Sequence, residues 1–297
     1  MKTVLVVGSA NLDHVYQVRQ IPTAGQTVAA TSYATHPGGK GMNQAVACAR
    51  LGARVVFCGC LGADDVGDSL VAVMVKAGID VSHVQRSREH PTGNASILVS
   101  EDGVNLITVA GGSNAALDPA HVTATMAAVQ PDAVLVQLET NLASVEAASS
   151  HPMFFLNPAP AAALPAEILA RCFALTPNET EAQALTGILP TDSSSCGACA
   201  ERLLAAGVRN VVLTLGAKGS YWESGSGASM IETLRVEAVD TTAAGDVYNG
   251  AMVAALMHGS DMAGALRFAS RAAALSTTRM GAIPSIPTLS EVQQASS

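Results

Sequence analysis

Short apolar runs alternate with alanine-rich stretches along most of the chain. The apolar runs read TVLVVG, RVVFCG, DAVLVQLE, MFFLN, CFALT and NVVLTLG. They are continuous, which is typical of parallel strands that are buried on both faces of a sheet. Alanine-rich stretches of helical length lie between them, for example at residues 65–77, 193–206 and 246–258. The pattern predicts an α/β fold in which helices cover both faces of a mostly parallel sheet.

Two segments break this pattern, at about residues 14–35 and 94–110. In the second segment, apolar and polar residues alternate through SILVSEDG and VNLITVAGG. Alternation of this kind predicts a hairpin, here around a turn at Asp102 and Gly103. We find no internal repeat or linker and predict one domain over residues 1–297. The polar tail after Thr288 is expected to fray.

Polar residues follow several of the predicted strands. Asn11 and Asp13 come after the first apolar run, Glu139 after VLVQL, Asn157 after MFFL and Gly216 after VVLTL. Ligands of open α/β sheets bind outside the carboxyl ends of the strands. We therefore expect these residues to lie near a ligand site.

The segment VDTTAAGDVYNG, residues 239–250, gives the strongest indication of chemistry. Its small residues Ala243, Ala244 and Gly245 leave their backbone N–H groups uncovered where a helix is expected to begin, and such a terminus attracts anions. Asp246 lies within this anion site, where its carboxylate would repel a resting phosphate. It is better suited to take a proton from a hydroxyl that attacks a phosphate. The segment indicates phosphoryl transfer to an alcohol, and the alternative is an acid that only stabilises the helix dipole.

A second glycine-rich segment, PGGKGMNQA, occupies residues 37–45. Its glycines let the backbone approach a ligand, while Lys40 and Asn43 offer hydrogen-bond donors; the alternative is a tight loop and a helix cap. The chain contains no G-x4-G-K-[ST] P-loop, and Gln44 stands where G-x-G-x-x-G requires its third glycine. A Rossmann-type dehydrogenase is therefore disfavoured.

Several motifs in a fixed order resemble a known family. They are GSANLD, PGGKGMNQAVACARLG, NPAPA, TPNETEA, TLGAKG, VDTTAAGD and RMGAIPSIP. Together they resemble the PfkB-type carbohydrate kinases, and the GGKGxNQA segment resembles the ribokinase branch of that family. The resemblance implies a ribokinase-like three-layer α/β/α fold, with a mostly parallel central sheet and a small β-sheet lid formed at about residues 14–35 and 94–110. It also implies that the lid covers a sugar and pairs two subunits into a homodimer.

The same resemblance implies an activity. The chain is expected to phosphorylate D-ribose at O5 with ATP, giving D-ribose 5-phosphate, and to use Mg²⁺ and K⁺. One alternative is a related kinase that acts on deoxyribose, another furanose or a nucleoside. A second is a non-catalytic sensor of sugars or nucleotides. The intact Asp246 counts against the sensor, because a binding protein gains nothing from an acid that repels phosphate.

Each candidate site residue takes its role from the resemblance. Asp246 is the catalytic base, and the backbone of Ala243, Ala244 and Gly245 forms the anion hole. With Asp246, the sugar-binding residues are Asn11, Asp13, Gly39, Lys40, Asn43 and Glu139. The nucleotide-binding residues are Asn178, Glu181, Thr214, Gly216, Lys218, Gly219, Gly245 and Ser270, of which Asn178 and Glu181 also match magnesium-water positions. The monovalent cation lies among Asp240, Thr242, Ser276, Arg279, Gly281 and Ser285.

Structural alternatives stay open for several of these residues. Asp13 and Asn43 are also suited to helix capping, and Glu139 to the start of the next helix. The acidic NETEA stretch is typical of a first helical turn. Ser270 stands where relatives carry a larger residue such as histidine, which leaves its role open. The cation positions also fit an ordinary pair of packed loops.

Composition narrows the class of partner. Of the 297 residues, 49% are hydrophobic and 13% are charged, as in a compact enzyme. The net charge of −8 leaves no basic footprint for nucleic acid or for an anionic membrane. No apolar run reaches the length of a membrane span, and the start MKTVLVVGSANLD resembles a strand rather than a signal sequence. We predict a cytoplasmic protein with small-molecule partners.

The cysteines fit a reducing compartment. Four of the six lie within apolar patterns and are interpreted as small core residues. Cys196 and Cys199 form an isolated C-x-x-C on one face of a predicted helix, with no obvious second ligand pair for a metal. We predict a structural role for both, with the serines before them capping the helix.

Overall fold

The computed structural model of the chain describes residues 2–295. Its strands are β1 (Thr3–Val7), β2 (Asn11–Val18), β3 (Ser32–Gly38), β4 (Arg54–Cys58), β5 (Cys60–Gly62), β6 (Gln85–Ser87), β7 (Gly93–Ser100), β8 (Asn105–Ala110), β9 (Ala133–Val136), β10 (Phe154–Leu156), β11 (Ala174–Leu175), β12 (Asn210–Thr214), β13 (Ser220–Ser224) and β14 (Gly227–Ile231). Its α-helices are α1 (Lys40–Arg50), α2 (Asp65–Lys76), α3 (Pro119–Val129), α4 (Leu142–Ala148), α5 (Ala166–Arg171), α6 (Glu179–Thr186), α7 (Ser193–Ala205), α8 (Ala244–Met257), α9 (Met262–Ser276), α10 (Ala282–Ser285) and α11 (Leu289–Gln294). Short 3-10 helices lie at Gly112–Ala116 and Gly216–Lys218.

The central sheet has eight strands in the order β14-β13-β12-β11-β10-β9-β1-β4. The apolar runs of the sequence form β1, β4, β9, β10, β11 and β12, which pair in parallel as predicted. Strands β13 and β14 add an antiparallel hairpin at one edge. The sequence pattern did not predict this hairpin, because β14 is exposed along most of its length and contains no apolar run.

Side chains of the central strands alternate between two hydrophobic clusters. In β1, Val4 and Val6 belong to one cluster, and Leu5 and Val7 belong to the other. Helices α1, α2, α8 and α9 pack into the first cluster, and α3 to α7 pack into the second. This arrangement confirms the three-layer α/β/α fold and explains why the strand runs are continuously apolar.

A separate four-stranded sheet has the order β3-β2-β7-β8. The hairpin of β7 and β8 is confirmed: the Gly103 N–H donates to the Ser100 carbonyl at 2.9 Å, and Gly103 has a φ of 82°. The sheet extends beyond the predicted segments, because β2 already begins at Asn11 and β3 continues to Gly38. Strand β2 therefore begins at the predicted ligand residue Asn11, and β3 ends one residue before the predicted Gly39.

Two local predictions are wrong. The tail after Thr288 was expected to fray, yet α11 begins there with a capping box between Thr288 and Glu291, and Val292 is buried. Helix α7 is capped by Asp192, whose carboxylate accepts from the Ser195 N–H, rather than by the serines that follow. In both places the capping residue, rather than hydrophobicity, sets where the helix begins.

The remaining features agree with the composition. All six cysteines are free and buried, and Cys196 and Cys199 lie in the second hydrophobic cluster. Burial raises the pKa of the Cys172 thiol to about 12, so this thiol stays protonated. Within residues 2–295, no helix combines the length and the apolarity that crossing a membrane requires.

Candidate active site

Helices α1 and α8 run side by side with both N-termini at one edge of the central sheet. Asn43 in the first turn of α1 contacts Asp246 in the first turn of α8, and one turn further on Ala47 faces Gly250. The contact is close because Gly250 has no side chain, and the Cys48 thiol donates to the Gly250 carbonyl. Two positive helix ends therefore converge on the same space.

Both carboxylate oxygens of Asp246 are held by amides of α1. Asn43 Nδ2 donates to Oδ2 at 3.0 Å, and Gln44 Nε2 donates to Oδ1 at 2.9 Å. Asp246 is buried. The contact with Gln44 was missed by the sequence analysis, which used Gln44 only to exclude a dinucleotide-binding loop. The sequence feature that could have indicated this contact is the position of Gln44 directly after Asn43 in the GGKGxNQA segment.

Burial is the main influence on the Asp246 carboxyl and raises its pKa. The charge of Glu139 acts in the same direction. The ammonium of Lys40 and the hydrogen bonds from Gln44 and Asn43 oppose it. A carboxylate with a raised pKa, held by fixed donors, is the kind of group that accepts a proton in catalysis.

No side chain caps the start of α8. Its N-cap is Ala243, a residue with no side-chain acceptor, in the left-handed conformation at φ 61°. That conformation costs a non-glycine residue about 1 kcal/mol, and strain of this kind is concentrated at functional sites. The Ala244 N–H donates to the Thr241 carbonyl at 3.2 Å, so this group is already partly engaged. The N-terminal turn still faces the cavity through Ala244 and Gly245.

Glu139 lies at the N-terminus of α1. Its Oε2 accepts from the Lys40 N–H at 3.0 Å and from Ser9 Oγ at 2.5 Å. It does not begin the next helix, because Asn141 caps α4. Ser9 was missed by the sequence analysis, although it lies within the GSANLD motif. The carboxylate of Glu139 thus neutralises one helix end and keeps Oε1 for a ligand.

The amide of Asn11 is fixed as a donor toward the pocket. The Ala10 N–H donates to Asn114 Oδ1 at 3.0 Å, so Asn114 Nδ2 must point to Asn11, where it donates to Oδ1 at 2.7 Å. The remaining Nδ2 of Asn11 is then available to a ligand. Asn114 is buried in the 3-10 helix after β8, and no motif of the sequence analysis pointed to it.

The amide of Asn43 has the opposite polarity. Its Nδ2 is used by the carboxylate of Asp246, and its buried Oδ1 has no hydrogen-bond partner within residues 2–295. A buried acceptor without a partner is costly, so it is suited to receive a ligand hydroxyl. Neither Asn43 nor Asp13 is a helix cap: Asn43 lies inside α1, and Asp13 lies in β2.

Asp13 completes the acidic side of the pocket. Burial, followed by the charges of Glu139 and Asp246, raises the pKa of Asp13 to about 7. Its carboxylate lies against Gly38, where an added Cβ would come within 2.0 Å of Oδ2. The glycines of the GGKG segment are therefore required by close approach of the backbone to the ligand residues.

Lys40 provides the positive charge of the pocket. Burial alone would lower the pKa of its ammonium group, but the carboxylates of Asp246, Glu139 and Glu181 together outweigh burial and raise it. Lys40 is therefore charged at neutral pH and balances the acids around it.

A cavity of about 670 Å³ adjoins the N-terminus of α8. Most of the predicted nucleotide positions line it, namely Asn178, Thr214, Gly216, Gly219, Gly245 and Ser270. Glu181 and Lys218 do not line it, and the exposed side chain of Lys218 donates to the Thr191 carbonyl at 3.4 Å; the nucleotide role of both residues stays a prediction. A cavity of this size fits a nucleotide.

Asn178 and Glu181 form a capping box at the start of α6. Asn178 Oδ1 accepts from the Glu181 N–H at 2.8 Å, and Glu181 Oε2 accepts from the Asn178 N–H at 2.9 Å. NETEA thus forms an acidic first helical turn, as its alternative interpretation predicts, and the nucleotide role of Asn178 and Glu181 stays a prediction. Burial raises the pKa of Glu181.

Asp240 ties together the two loops predicted to hold a cation. Its Oδ1 accepts from the Thr242 N–H at 2.9 Å, and its Oδ2 accepts from the Gly281 N–H at 2.7 Å. Burial raises its pKa, but these hydrogen bonds outweigh burial and hold the pKa below its usual value. The side chains of the other predicted cation residues make contacts within their own region. The hydroxyls of Ser276 and Ser285 donate to backbone carbonyls of their own helices, and Arg279 forms an ion pair with Glu291.

The chemistry of the site follows from these parts. A buried carboxylate lies at the positive end of a helix and accepts from two amides, and the residue before it, Gly245, lines a nucleotide-sized cavity. Within residues 2–295, no group of three or more His, Cys, Asp or Glu side chains is placed to bind a metal ion. The fold and site define an enzyme that transfers a phosphoryl group to an alcohol.

Comparison with known proteins gives the family. Residues 1–289 match the pfkB family of carbohydrate kinases, and the chain belongs to this family of sugar kinases. It is 41% identical over 296 residues to the ribokinase of Haemophilus influenzae, a match that covers 98% of this chain and 97% of that protein. It is 31% identical over 299 residues to the deoxyribokinase of Salmonella typhimurium, covering 98% and 97% of the two chains. A solved structure of Arabidopsis thaliana ribokinase complexed with ribose and ATP is 30% identical, with a TM-score of 0.87 over 99% of this chain and 98% of that one.

Proposed function

We propose that this chain transfers the γ-phosphoryl group of ATP to O5 of D-ribose, giving D-ribose 5-phosphate. The observation that carries the proposal is the position of Asp246. Its carboxylate is held by Asn43 and Gln44 in the first turn of α8, and the preceding residue, Gly245, lines the cavity. The relatives named ribokinase, one of them solved with ribose and ATP, support ribose as the acceptor.

The residues of the chain divide the reaction between them. Asp246 accepts the proton of the sugar hydroxyl as that oxygen attacks the γ-phosphorus. The N-terminus of α8 stabilises the negative charge that shifts onto the transferring group. Asn11, as donor, and Asn43, as acceptor, recognise sugar hydroxyls together with Asp13 and Glu139. Lys40 offsets the charge of the surrounding carboxylates.

We further propose Mg²⁺ and K⁺ as cofactors. When bound, Mg²⁺ neutralises charge on the phosphates of ATP. Glu181, next to the cavity, is the candidate to hold magnesium-bound water. The residues around Asp240 fit a large monovalent cation, because they combine one ionised carboxylate with the backbone of two loops. The loop positions proposed to contribute are Thr242, Ser276, Arg279, Gly281 and Ser285. Lys218 keeps a proposed place in the nucleotide loop only if its side chain turns inward when ATP binds.

A homodimer that forms through the small sheet is a further proposal. Strand β8 lies at the edge of that sheet and is exposed along its whole length, although it carries Leu106, Ile107 and Val109. The side chain of Ile107 is 53% exposed. An open, apolar edge strand is a ready template for pairing. Ile107→Lys should convert the dimer into monomers in light scattering, and a monomeric parent protein would contradict the proposal.

The remaining proposals concern organisation. We propose that residues 1–297 form one kinase domain in which the small sheet is the lid. The six free cysteines and the use of ATP support a cytoplasmic enzyme. No nucleic acid or membrane is proposed as a partner, in keeping with the net charge of −8.

The test is an ATP-consumption assay over pentoses, hexoses and nucleosides, with the phosphorylated position assigned by ³¹P–¹H NMR. We expect D-ribose to be the preferred acceptor and O5 the modified atom. Preference for deoxyribose, another furanose or a nucleoside would favour the alternative acceptors. Binding of sugar and ATP without turnover would favour the sensor.

A further inference from the structure

Polar side chains follow three neighbouring strands of the central sheet beneath the active site. Gln137 follows β9, Asn157 follows β10 and Thr176 follows β11. Gln44 of α1 joins this row to Asp246. Gln44 and Gln137 have no exposed surface, and Asn157 and Thr176 are buried as well. Buried polar groups need partners, and this row supplies them for Gln44 and Asn157, whereas Gln137 Oε1 has none among residues 2–295.

The direction of every hydrogen bond in the row follows from one backbone carbonyl. The carbonyl of Thr176 can only accept, so the group of Asn157 that contacts it at 3.2 Å is the donor Nδ2. Asn157 Oδ1 then faces Gln44 and accepts from Nε2 at 3.0 Å. The same Nε2 donates to Asp246 Oδ1 at 2.9 Å, and Gln44 Oε1 accepts from Gln137 Nε2 at 2.6 Å.

The Gln44 amide has only one favourable orientation. Turning it over would place Oε1 against two acceptors, Asp246 Oδ1 and Asn157 Oδ1, and would place Nε2 against the Nε2 of Gln137. No water can compensate, because the amide is fully buried. The strand ends therefore fix a donor against the carboxylate of Asp246 in advance of any ligand.

We propose that Gln44 is the positioning residue of the base: it holds the Asp246 carboxylate in one orientation and in its ionised form, and acts on the reaction only through Asp246. This rests on the proposed function, in which Asp246 is the base. Asn43 differs from Gln44 because its buried Oδ1 has no hydrogen-bond partner among residues 2–295 and is left for a ligand. Gln44 is fully buried and contacts Asp246 from the side of the sheet.

The charged groups that face Asp246 come from several elements. Lys40 of α1 favours the ionised form, whereas Glu139, Asp13 of β2 and Glu181 of α6 oppose it. Replacing Gln44 leaves all of these charges in place. A change in the titration of Asp246 in such a variant therefore reports the lost donor.

The experiment compares Gln44→Met with Thr176→Val. Gln44→Met keeps the side-chain length and removes the donor. Thr176→Val removes a buried hydroxyl that donates to Asn249 Oδ1 at 2.6 Å in the same region, without touching Asp246 or the Thr176 carbonyl. Gln44→Leu, which also removes the donor and adds no charge, serves as a second variant if Gln44→Met does not fold.

The carboxyl of Asp246 is titrated in the sugar-free protein by ¹³C NMR and assigned by its absence in Asp246→Asn. We expect the pKa of Asp246 to rise by about 1 to 2 units in Gln44→Met, the worth of one hydrogen bond to a charged group, and to rise in Gln44→Leu as well. The acid limb of the kcat profile should move by the same amount, while KM for sugar changes less. Thr176→Val should lower thermal stability without moving either value.

The outcomes distinguish the role of Gln44 as positioning residue from the role of Asp246 as base. An unchanged pKa of Asp246 in Gln44→Met, or an equal shift in Thr176→Val, would overturn the role of Gln44. A shifted pKa with a kcat profile that does not follow it would support Gln44 as the residue that holds Asp246 and would instead contradict Asp246 as the base.

Discussion

Gly250 faces Ala47 so closely that a Cβ added to the glycine would lie 2.5 Å from the Ala47 Cβ. The same atom would lie 2.8 Å from the Gln44 carbonyl oxygen. One turn toward the helix N-termini, Asn43 contacts Asp246 at 3.0 Å. The spacing of α1 and α8 that brings the base to its amides is therefore set by a glycine one turn away from the chemistry.

We predict that Gly250→Ala destabilises the protein by about 1 to 3 kcal/mol, the usual cost of overpacking, and also lowers kcat. Chemical denaturation and steady-state rates measure the two effects. Gly197→Ala in α7 is the matched control, because the nearest atom to its added Cβ is the Tyr221 hydroxyl oxygen at 3.5 Å. It should be neutral or stabilising by about 0.5 to 1 kcal/mol. Equal effects of the two changes would contradict the role of Gly250.

Asp246→Asn should lower turnover by about 10²- to 10⁴-fold while sugar and ATP still bind. The amide keeps the size of the carboxylate but cannot take up the proton of the attacking hydroxyl. Calorimetry measures binding, and a coupled assay measures turnover. Near-normal turnover of this variant would exclude Asp246 as the base.

The parallel strands were predictable because each is buried on both faces and so carries a continuous apolar run. The hairpin of β13 and β14 was not, because an exposed edge strand needs no such run. The tail was misjudged for a related reason: α11 is anchored by the Thr288 capping box and one buried valine, Val292, which a polar sequence hides.

In the active site, too, some residues could be predicted from the local sequence and others could not. Asp246 and the glycine-rich segment are recognisable because their chemistry is local in sequence. Asn114 was missed because its role is to orient the amide of Asn11, and the two residues lie 103 positions apart in the sequence. Gln44 was seen only as a missing glycine, because its role depends on Asn157 and Gln137, which the fold brings to it from separate strands. Relationships of this kind exist only in the folded chain.

The pKa of Asp13, raised from 3.8 to about 7, predicts a pH dependence of stability in the sugar-free protein. The folded state then binds more protons than the unfolded state between about pH 4 and pH 7. Stability should therefore be greatest below this window and fall as the pH rises through it. In Asp13→Asn the fall should be smaller, as measured by urea unfolding at several pH values. Parallel stability curves for the two proteins would contradict the shifted pKa.

Replacing Na⁺ by K⁺ at constant ionic strength should raise activity. The carboxylate of Asp240 joins the loop at Thr242 to the loop at Gly281, so an ion bound there orders the chain leading into the N-terminus of α8. Asp240→Asn should remove most of the difference between the two salts. Equal rates of the parent protein in K⁺ and Na⁺ across a concentration series would count against the cation site.

Ribose should exceed 2-deoxyribose in kcat/KM by about tenfold or more. Asn43 presents a buried Oδ1 without a partner among residues 2–295, and Asp13 lies close enough to Glu139 and Asp246 for their charges to raise its pKa, so a sugar that lacks a hydroxyl should leave one of these groups unpaired. Each such group costs roughly 1 to 3 kcal/mol, and that loss appears in kcat/KM. Nucleosides should be poorer still, because the base at C1 would collide with the closing lid. The measurement uses saturating MgATP and K⁺, with D-ribose as the reference. A value for 2-deoxyribose or a nucleoside equal to or above that of ribose would contradict ribose as the acceptor and leave the kinase assignment intact.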